Sequence, residues 1–196
     1  PDLLIILGGH EVTYYAEEII LNNPQIDFII RGEGEEPVKK LLEVLYNSSL
    51  NYENVPSLTF MDSGKIKSTP LSVPKSLNEL PFPYDEGIAA LNGKIIYYES
   101  SRGCPYRCSY CLSGRNSGVD FLDVERVKKE LLFFIEHNVP LVKFVDRTFN
   151  ADKKRAREIF EFIIQNSKNT CFHFELAGNL LDKETIAVLK TAPKGI

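Results

Sequence analysis

Three scarcities narrow what this chain can be. No apolar run approaches the roughly 20 residues a membrane-spanning helix needs, so a membrane role is not expected. There is no excess of positive charge. Lys and Arg number 23 against 27 Asp and Glu, a net charge of −4, which gives nucleic acid no electrostatic hold. Cysteine is sparse, with 4 in 196 residues. A secreted disulfide scaffold is denser in cysteine and follows a secretory segment, and no such segment is expected ahead of these. Free thiols in a reducing, cytoplasmic setting are the expectation. What remains, 43% hydrophobic and 26% charged residues, is an ordinary globular balance, enough for one large or two small cores. The basic clusters Lys128-Lys129 and Lys153-Lys154-Arg155, with Arg157, fall in predicted helices and read as solvated faces.

A continuous apolar run at 3–7, closed by Gly8 and Gly9, suits a parallel strand covered on both faces. Val12, Tyr15, Ile19 and Ile20 predict a helix from about 11 to 22, stopped by Asn22-Asn23-Pro24. A strand at 26–30 leads through Arg31-Gly32-Glu33-Gly34-Glu35-Glu36-Pro37 into a helix to about Tyr46, with Val38, Leu41, Leu42 and Leu45 on one face. Strand, helix, strand, helix with glycine turns is an α/β, doubly wound pattern. Residues 57–61 and 65–68 flank Asp62-Ser63-Gly64 and predict a hairpin. Pro70, Pro74, Pro81 and Pro83 predict a stiff linker. Beyond residue 94, strands at 95–99, 140–145 and 171–175 alternate with helices at about 123–137, 151–166 and 182–191, which is the first half of a (β/α) barrel. The expected organisation is therefore the end of a Rossmann-like parallel sheet at 1–48, hairpin and linker at 49–93, and a partial barrel at 94–196. Pro1 entering directly on a strand, and 191–196 reading as a loop into another, lead us to expect a segment of a longer protein.

Most of the chemistry sits at Cys104, Cys108 and Cys111, spaced Cys-x3-Cys-x2-Cys in Cys104-Pro105-Tyr106-Arg107-Cys108-Ser109-Tyr110-Cys111. Three thiolates on one short loop can hold an iron–sulfur cluster by three irons and leave the fourth open. Four cysteines would close every iron, as in an electron carrier. Structural zinc is the alternative, but His137, His173 and Cys171, the nearest further donors, are not paired at zinc spacing. The C-terminal strand ends of a parallel barrel share one rim, where active sites lie. The cysteine loop follows the first strand, Asp146 ends the second and Glu175 ends the third. Period two puts Cys171, His173 and Glu175 toward the interior and Phe172 and Phe174 outward against helices. His173 also fits an interior hydrogen-bonded residue, Cys171 a small buried filler, and Asp146 a helix cap. Glu175, a strand-end carboxylate among aromatics, needs a partner and is the strongest functional candidate of the four.

The cysteine spacing, with the aromatic Tyr110 just before the third cysteine, resembles the radical S-adenosylmethionine superfamily. That resemblance implies a 4Fe–4S cluster on Cys104, Cys108 and Cys111, with S-adenosylmethionine chelating the open iron. An electron from the cluster would break the sulfonium bond to the ribose carbon, and the resulting 5′-deoxyadenosyl radical would abstract hydrogen from substrate. It further implies Tyr110 beside the adenine, Asp146 and Glu175 on polar groups of S-adenosylmethionine, and an external electron donor such as flavodoxin or ferredoxin. The family's common Gly-Gly-Glu signature is replaced here by Asp146-Arg147-Thr148-Phe149-Asn150. Upstream, Gly8-Gly9-His10, Arg31-Gly32-Glu33-Gly34-Glu35 and Leu80-Pro81-Phe82-Pro83 resemble the subfamily with an N-terminal cobalamin-binding domain. Gly8, Gly9, Gly32 and Gly34 are then the implied cobalamin contacts. Taken alone, Gly-Gly is a tight turn, and the acids after Gly32 suit a helix N-terminus. His10 does not fit the family's Asp-x-His-x-x-Gly cobalt-ligand motif, which this chain lacks. The expected function is radical chemistry, with cobalamin-dependent methyl transfer or a related carbon–carbon or carbon–sulfur reaction. The alternatives are a radical enzyme without cobalamin whose N-terminal part is an interaction module, and a zinc-stabilised binding module. With three barrel strands, this segment alone is expected to be inactive.

Overall fold

The computed structural model of the chain describes residues 3–48, 51–85, 87, 93–114 and 118–194. It divides into two compact units, Pro1–Pro74 and Lys75–Ile196. Among the described residues, no helix is long and apolar enough to cross a membrane.

The first unit contains β1 (Ile6–Leu7), α1 (His10–Thr13), α2 (Ala16–Asn22), β2 (Phe28–Ile30), α3 (Glu35–Tyr46), β3 (Leu58–Asp62) and β4 (Lys65–Ser68). Three consecutive buried apolar residues make β2 the centre of its sheet. Phe28 and Ile30 pack with Leu41 of α3 and with Leu58 and Phe60 of β3. Ile29 points the other way, into Val12, Ala16 and Ile20 of α1 and α2, as the alternation of a strand requires. On α3, Val38, Leu41 and Leu45 pack inward, whereas Leu42, expected on the same face, is 53% exposed.

The sheet runs in the order β1-β2-β3-β4. β1 is parallel to β2, and the next two pairings are antiparallel. The hairpin expected between domains is therefore the edge of this first sheet. Its turn residues Ser63 and Gly64 both have positive φ, 49° and 78°, the geometry that matches strand twist. The helix expected over 11–22 is two helices. Thr13 Oγ1 donates to the Gly9 carbonyl at 2.7 Å and accepts from the Gly32 amide at 3.1 Å, so the end of α1 is tied to the two glycine turns.

The second unit contains β5 (Ile95–Tyr98), β6 (Ser101–Gly103), β7 (Val119–Phe121), α4 (Val124–Glu136), β8 (Leu141–Phe144), α5 (Lys153–Asn166), β9 (Cys171–His173) and α6 (Lys183–Leu189). β5, β8 and β9 are neighbours in an all-parallel sheet. Ile96, Tyr98, Val142, Phe144 and Phe172 are buried with Leu131, Phe134 and Ile135 of α4 and Ile159, Phe160 and Ile163 of α5. Phe174 joins them, its ring 4.7 Å from those of Phe144 and Phe149 and 5.0 Å from that of Phe160. Among the described residues, no helix covers the other face of this sheet. Ile95 and Tyr97 are 50% and 57% exposed there, and Cys171 and His173 are exposed. The outward placement of Phe172 and Phe174 is as the period-two pattern predicts.

Part of the predicted linker is bound to this unit as a strap. Arg126 donates to the carbonyls of Leu77, Asn78 and Leu80 at 3.3, 2.9 and 2.8 Å. Tyr84 donates its hydroxyl to the Tyr97 carbonyl at 2.6 Å, closing the β5 edge that β8 leaves free. Arg126 also donates to Glu130, which accepts the buried Tyr98 hydroxyl at 2.6 Å. Burial, then the neighbouring Glu130 charge, pushes the Tyr98 phenol upward.

Candidate functional site

The cysteine loop hangs from a short stem. β6 and β7 pair antiparallel, Ser101 with Phe121, Arg102 with Asp120 and Gly103 with Val119. At its mouth Gly103 has φ +101°, and a Cβ there would lie 2.4 Å from the Gly118 carbonyl oxygen. Glycine is thus required twice over, by conformation and by space. Gly118 also has positive φ, 97°, but faces open space. Local sequence pattern does not predict this stem, whose strands are three residues each. The only signal for it is a glycine at each end of the loop.

Beneath the stem lies Asp146, fully buried. Its carboxylate accepts from the Ser100 amide at 2.8 Å, the Ser100 hydroxyl at 2.6 Å and the Ser101 hydroxyl at 2.7 Å. Burial raises its pKa, and the Ser100 and Ser101 hydrogen bonds, with the Arg155 charge, pull back against that. Arg155 donates to the Ser100 carbonyl and hydroxyl at 2.8 and 3.0 Å, and burial lowers its pKa. Among the described residues, its Nε and Nη1 have no hydrogen-bond partner. The guanidinium carbon lies 5.0 Å from the Phe121 ring centre, where the negative ring face compensates part of that loss.

Two expectations change here. Arg155 is not on a solvated helix face but is 6% exposed. Asp146, expected on polar groups of S-adenosylmethionine, has both oxygens engaged below the rim and braces the root of the cysteine loop. It is not a cap either; α5 is capped by Asp152, which accepts from the Arg155 amide at 2.9 Å.

Cys104, Cys108 and Cys111 are all free thiols, the first and last partly buried and Cys108 exposed. The Cys111 amide donates to the Cys108 carbonyl at 3.0 Å, closing a tight turn between them. Among the described residues, no three His, Cys, Asp or Glu side chains already converge as a metal-holding group. The donor set itself suits an iron–sulfur cluster: three free thiols on one accessible loop, with no disulfide among the described residues competing for them. Tyr110 is 89% exposed. Its phenol is shifted upward by a hydrogen bond with Cys108 and by that group's charge. Tyr106 ties the loop across the rim, donating to Asn179 Oδ1 at 2.9 Å.

The segment 146–150 binds both neighbouring loops. Thr148 Oγ1 lies 3.5 Å from Cys104 Sγ. The Phe149 amide donates to the Glu175 carbonyl at 3.0 Å. Asn150, 1% exposed, donates to the Ala177 carbonyl at 3.0 Å and accepts from the Ala177 amide at 2.9 Å. Thr148 and Asn150 had no assigned role in the sequence reading. Glu175 sits just past β9, exposed. Another feature unseen in sequence is the pair Arg102 and Glu99, joined at 2.6 and 3.1 Å.

In the first unit, Gly8 and Gly9 follow β1, and Gly32 and Gly34 follow β2. Because those strands are parallel neighbours, both turns lie at C-terminal strand ends, where ligands of open α/β sheets bind. Gly9 and Gly32 have φ of 100° and 75° with open space beside each Cα. Thr13 bridges the two turns.

The profile of the radical SAM superfamily matches residues 98–196. An uncharacterised methyltransferase of Pyrococcus horikoshii is 30% identical over 81% of this chain and 36% of its own length. The anaerobic magnesium-protoporphyrin IX monomethyl ester cyclase of Synechocystis is 30% identical over 84% of this chain and 34% of its own. The chain thus spans about a third of the length of these relatives. Among solved structures, the radical S-adenosylmethionine methyltransferase TsrM of Kitasatospora setae, with cobalamin and a 4Fe–4S cluster bound, superposes with a TM-score of 0.70 at 14% identity, over 97% of this chain and 40% of that one. The likeness in fold runs through both units.

Proposed function

We propose that this chain, which belongs to the radical SAM superfamily, forms part of an enzyme that cleaves S-adenosylmethionine at a 4Fe–4S cluster to start radical chemistry, in a protein that transfers methyl groups with the help of cobalamin. The observation that carries this reading is the Cys-x3-Cys-x2-Cys loop at the exit of β5, the first of three parallel strands, with its thiols free.

Cys104, Cys108 and Cys111 would hold the cluster, which when bound would supply the one electron for reductive cleavage of S-adenosylmethionine to methionine and a 5′-deoxyadenosyl radical. Asp146 and the Ser100–Ser101 hydroxyls fix the origin of their loop, while Gly103 lets the stem close. Tyr110 offers an exposed ring for the adenine, and Glu175 an exposed carboxylate for the amino group of the methionine part. The uncovered face of β5, β8 and β9 lines the reaction space. The two glycine turns of the first unit, with open space beside the Cα of Gly9 and Gly32, would let the cobalamin approach the main chain. The relatives' names as methyltransferase, and TsrM's bound cobalamin, support that part of the reading. A one-electron donor of the flavodoxin or ferredoxin kind and a reducing, cytoplasmic setting complete the proposal.

Anaerobic incubation with iron and sulfide should turn the protein brown, with broad visible absorbance and about four irons per chain. Cys108→Ala should abolish both. A colourless chain carrying one tightly held zinc would overturn the cluster. Failure of the intact protein to retain cobalamin would remove methyl transfer through cobalamin.

A further inference from the structure

We propose that the Thr148 hydroxyl is a hydrogen-bond donor to the Cys104 sulfur and raises the reduction potential of the cluster held there. The proposal rests on the reading of Cys104 as a cluster ligand. Its starting point is a single contact, Thr148 Oγ1 to Cys104 Sγ at 3.5 Å, within ordinary range for so large an acceptor atom. Thr148 is only 5% exposed, and a hydrogen bond shielded from water acts more strongly on its acceptor.

The hydroxyl is also held in place from both sides. Two residues before it, Asp146 is fixed to Ser100 and Ser101. Just after it, Phe149 and Asn150 are fixed to Glu175 and Ala177. The backbone that carries Thr148 therefore cannot move away from Cys104 without breaking bonds to both flanking loops, while the hydroxyl proton stays free to turn. The three thiols are unequal in this respect. Cys108 meets Tyr110, whose phenol is exposed to competing water, whereas the partner of Cys104 is enclosed.

One proton serves two acceptors. With a protonated thiol, the Cys104 S–H can donate to Thr148 Oγ1 while the hydroxyl donates to the Arg147 carbonyl at 2.8 Å. A cysteine sulfur bound to iron carries no proton. The hydroxyl can then turn toward it, and the Arg147 carbonyl gives up its share. Reduction places additional negative charge on the ligand sulfurs, and a donor aimed at one of them stabilises the reduced form. No proton is transferred; the single electron comes from the external donor.

The test is an anaerobic redox titration of the reconstituted chain followed by electron paramagnetic resonance. Thr148→Val keeps the side-chain shape and removes the donor. It should load iron and sulfide as the wild type does, yet titrate at a more negative potential and lose one exchangeable-proton coupling to the cluster. Thr148→Ser should restore both, and Thr148→Ala should behave as Val does should the added methyl disturb packing. Equal potentials and unchanged proton couplings in loaded wild type, Val and Ala variants would overturn this role while leaving the cluster assignment intact. A wild-type chain that takes up no cluster would overturn both.

Discussion

β2 and β8 are both short central strands with a parallel neighbour, yet they differ in what covers their second face. In β2 every residue is buried, with helices on either side. In β8 burial alternates, and only Val142 and Phe144 are in the core. β2 commits all its side chains to packing, so any ligand beside it must be held by the turns at the strand ends, largely through main-chain groups. The second sheet, among the described residues, has one face with exposed positions on β5 and β9 and can offer side chains to a reaction. Chemistry-bearing residues accumulate where the core does not need the position.

Breaking the packing of each sheet should show this division. Asp146→Ala strips three hydrogen bonds from the root of the cysteine loop and leaves Arg155 buried without its countercharge. We expect a loss of about 3–5 kcal/mol in urea unfolding and poor cluster uptake. Asp146→Asn should be milder. The matching change in the first sheet, Ile29→Ala, should cost about 2–5 kcal/mol and speed amide exchange in β2, α1 and α2, while cluster uptake by the second unit persists. Loss of uptake in this variant would break the comparison.

Smaller changes sharpen it. Gly103→Ala should cost about 1–3 kcal/mol through backbone strain plus the clash with Gly118, and should lower cluster loading. Gly118→Ala, with open space around it, should cost only about 1 kcal/mol. Glu175→Gln should alter stability by less than about 0.5 kcal/mol but weaken S-adenosylmethionine binding by roughly 1–2 kcal/mol, read by calorimetry on the loaded chain. Reduced stability without weaker binding would make Glu175 structural.

The smallest effect is one of pH. Asp182 begins α6, accepting from the hydroxyl and amide of Thr185 at 2.6 and 2.8 Å. These bonds, and then Arg157, depress its pKa to about 2. The folded value lies below the unfolded one, so the stabilisation is complete above about pH 4 and is lost as pH falls through about 2. Amide exchange in α6 should rise over that interval, and Asp182→Asn should flatten the dependence.

The cysteine loop, the three parallel strands and the facing of Phe172 and Phe174 were legible because each is written in local spacing. The β6–β7 stem was not. Its strands are three residues each and partly polar, and they pair across the cysteine loop. Asp146 was recognised at a strand end, but its partners Ser100 and Ser101 belong to the neighbouring strand's exit. Only the pairing of β5 with β8 brings them together. The hairpin was recognised as a hairpin, while the alignment of Leu58 with Ile30 and Phe60 with Phe28 follows from packing that no local pattern encodes. Arg155 misled because its neighbours Lys153 and Lys154 do face solvent, and charge alone does not reveal which turn of a helix points inward.

Asn150 holds its neighbouring loop by the Ala177 amide and carbonyl alone. Such a grip is indifferent to side-chain identity. Around that fixed point, exposed positions such as Glu175 and Leu176 can be exchanged while the loop keeps its path. Libraries that vary those two positions and keep Asn150 should yield folded proteins with altered ligand preference; the same libraries built on Asn150→Ala should yield far fewer.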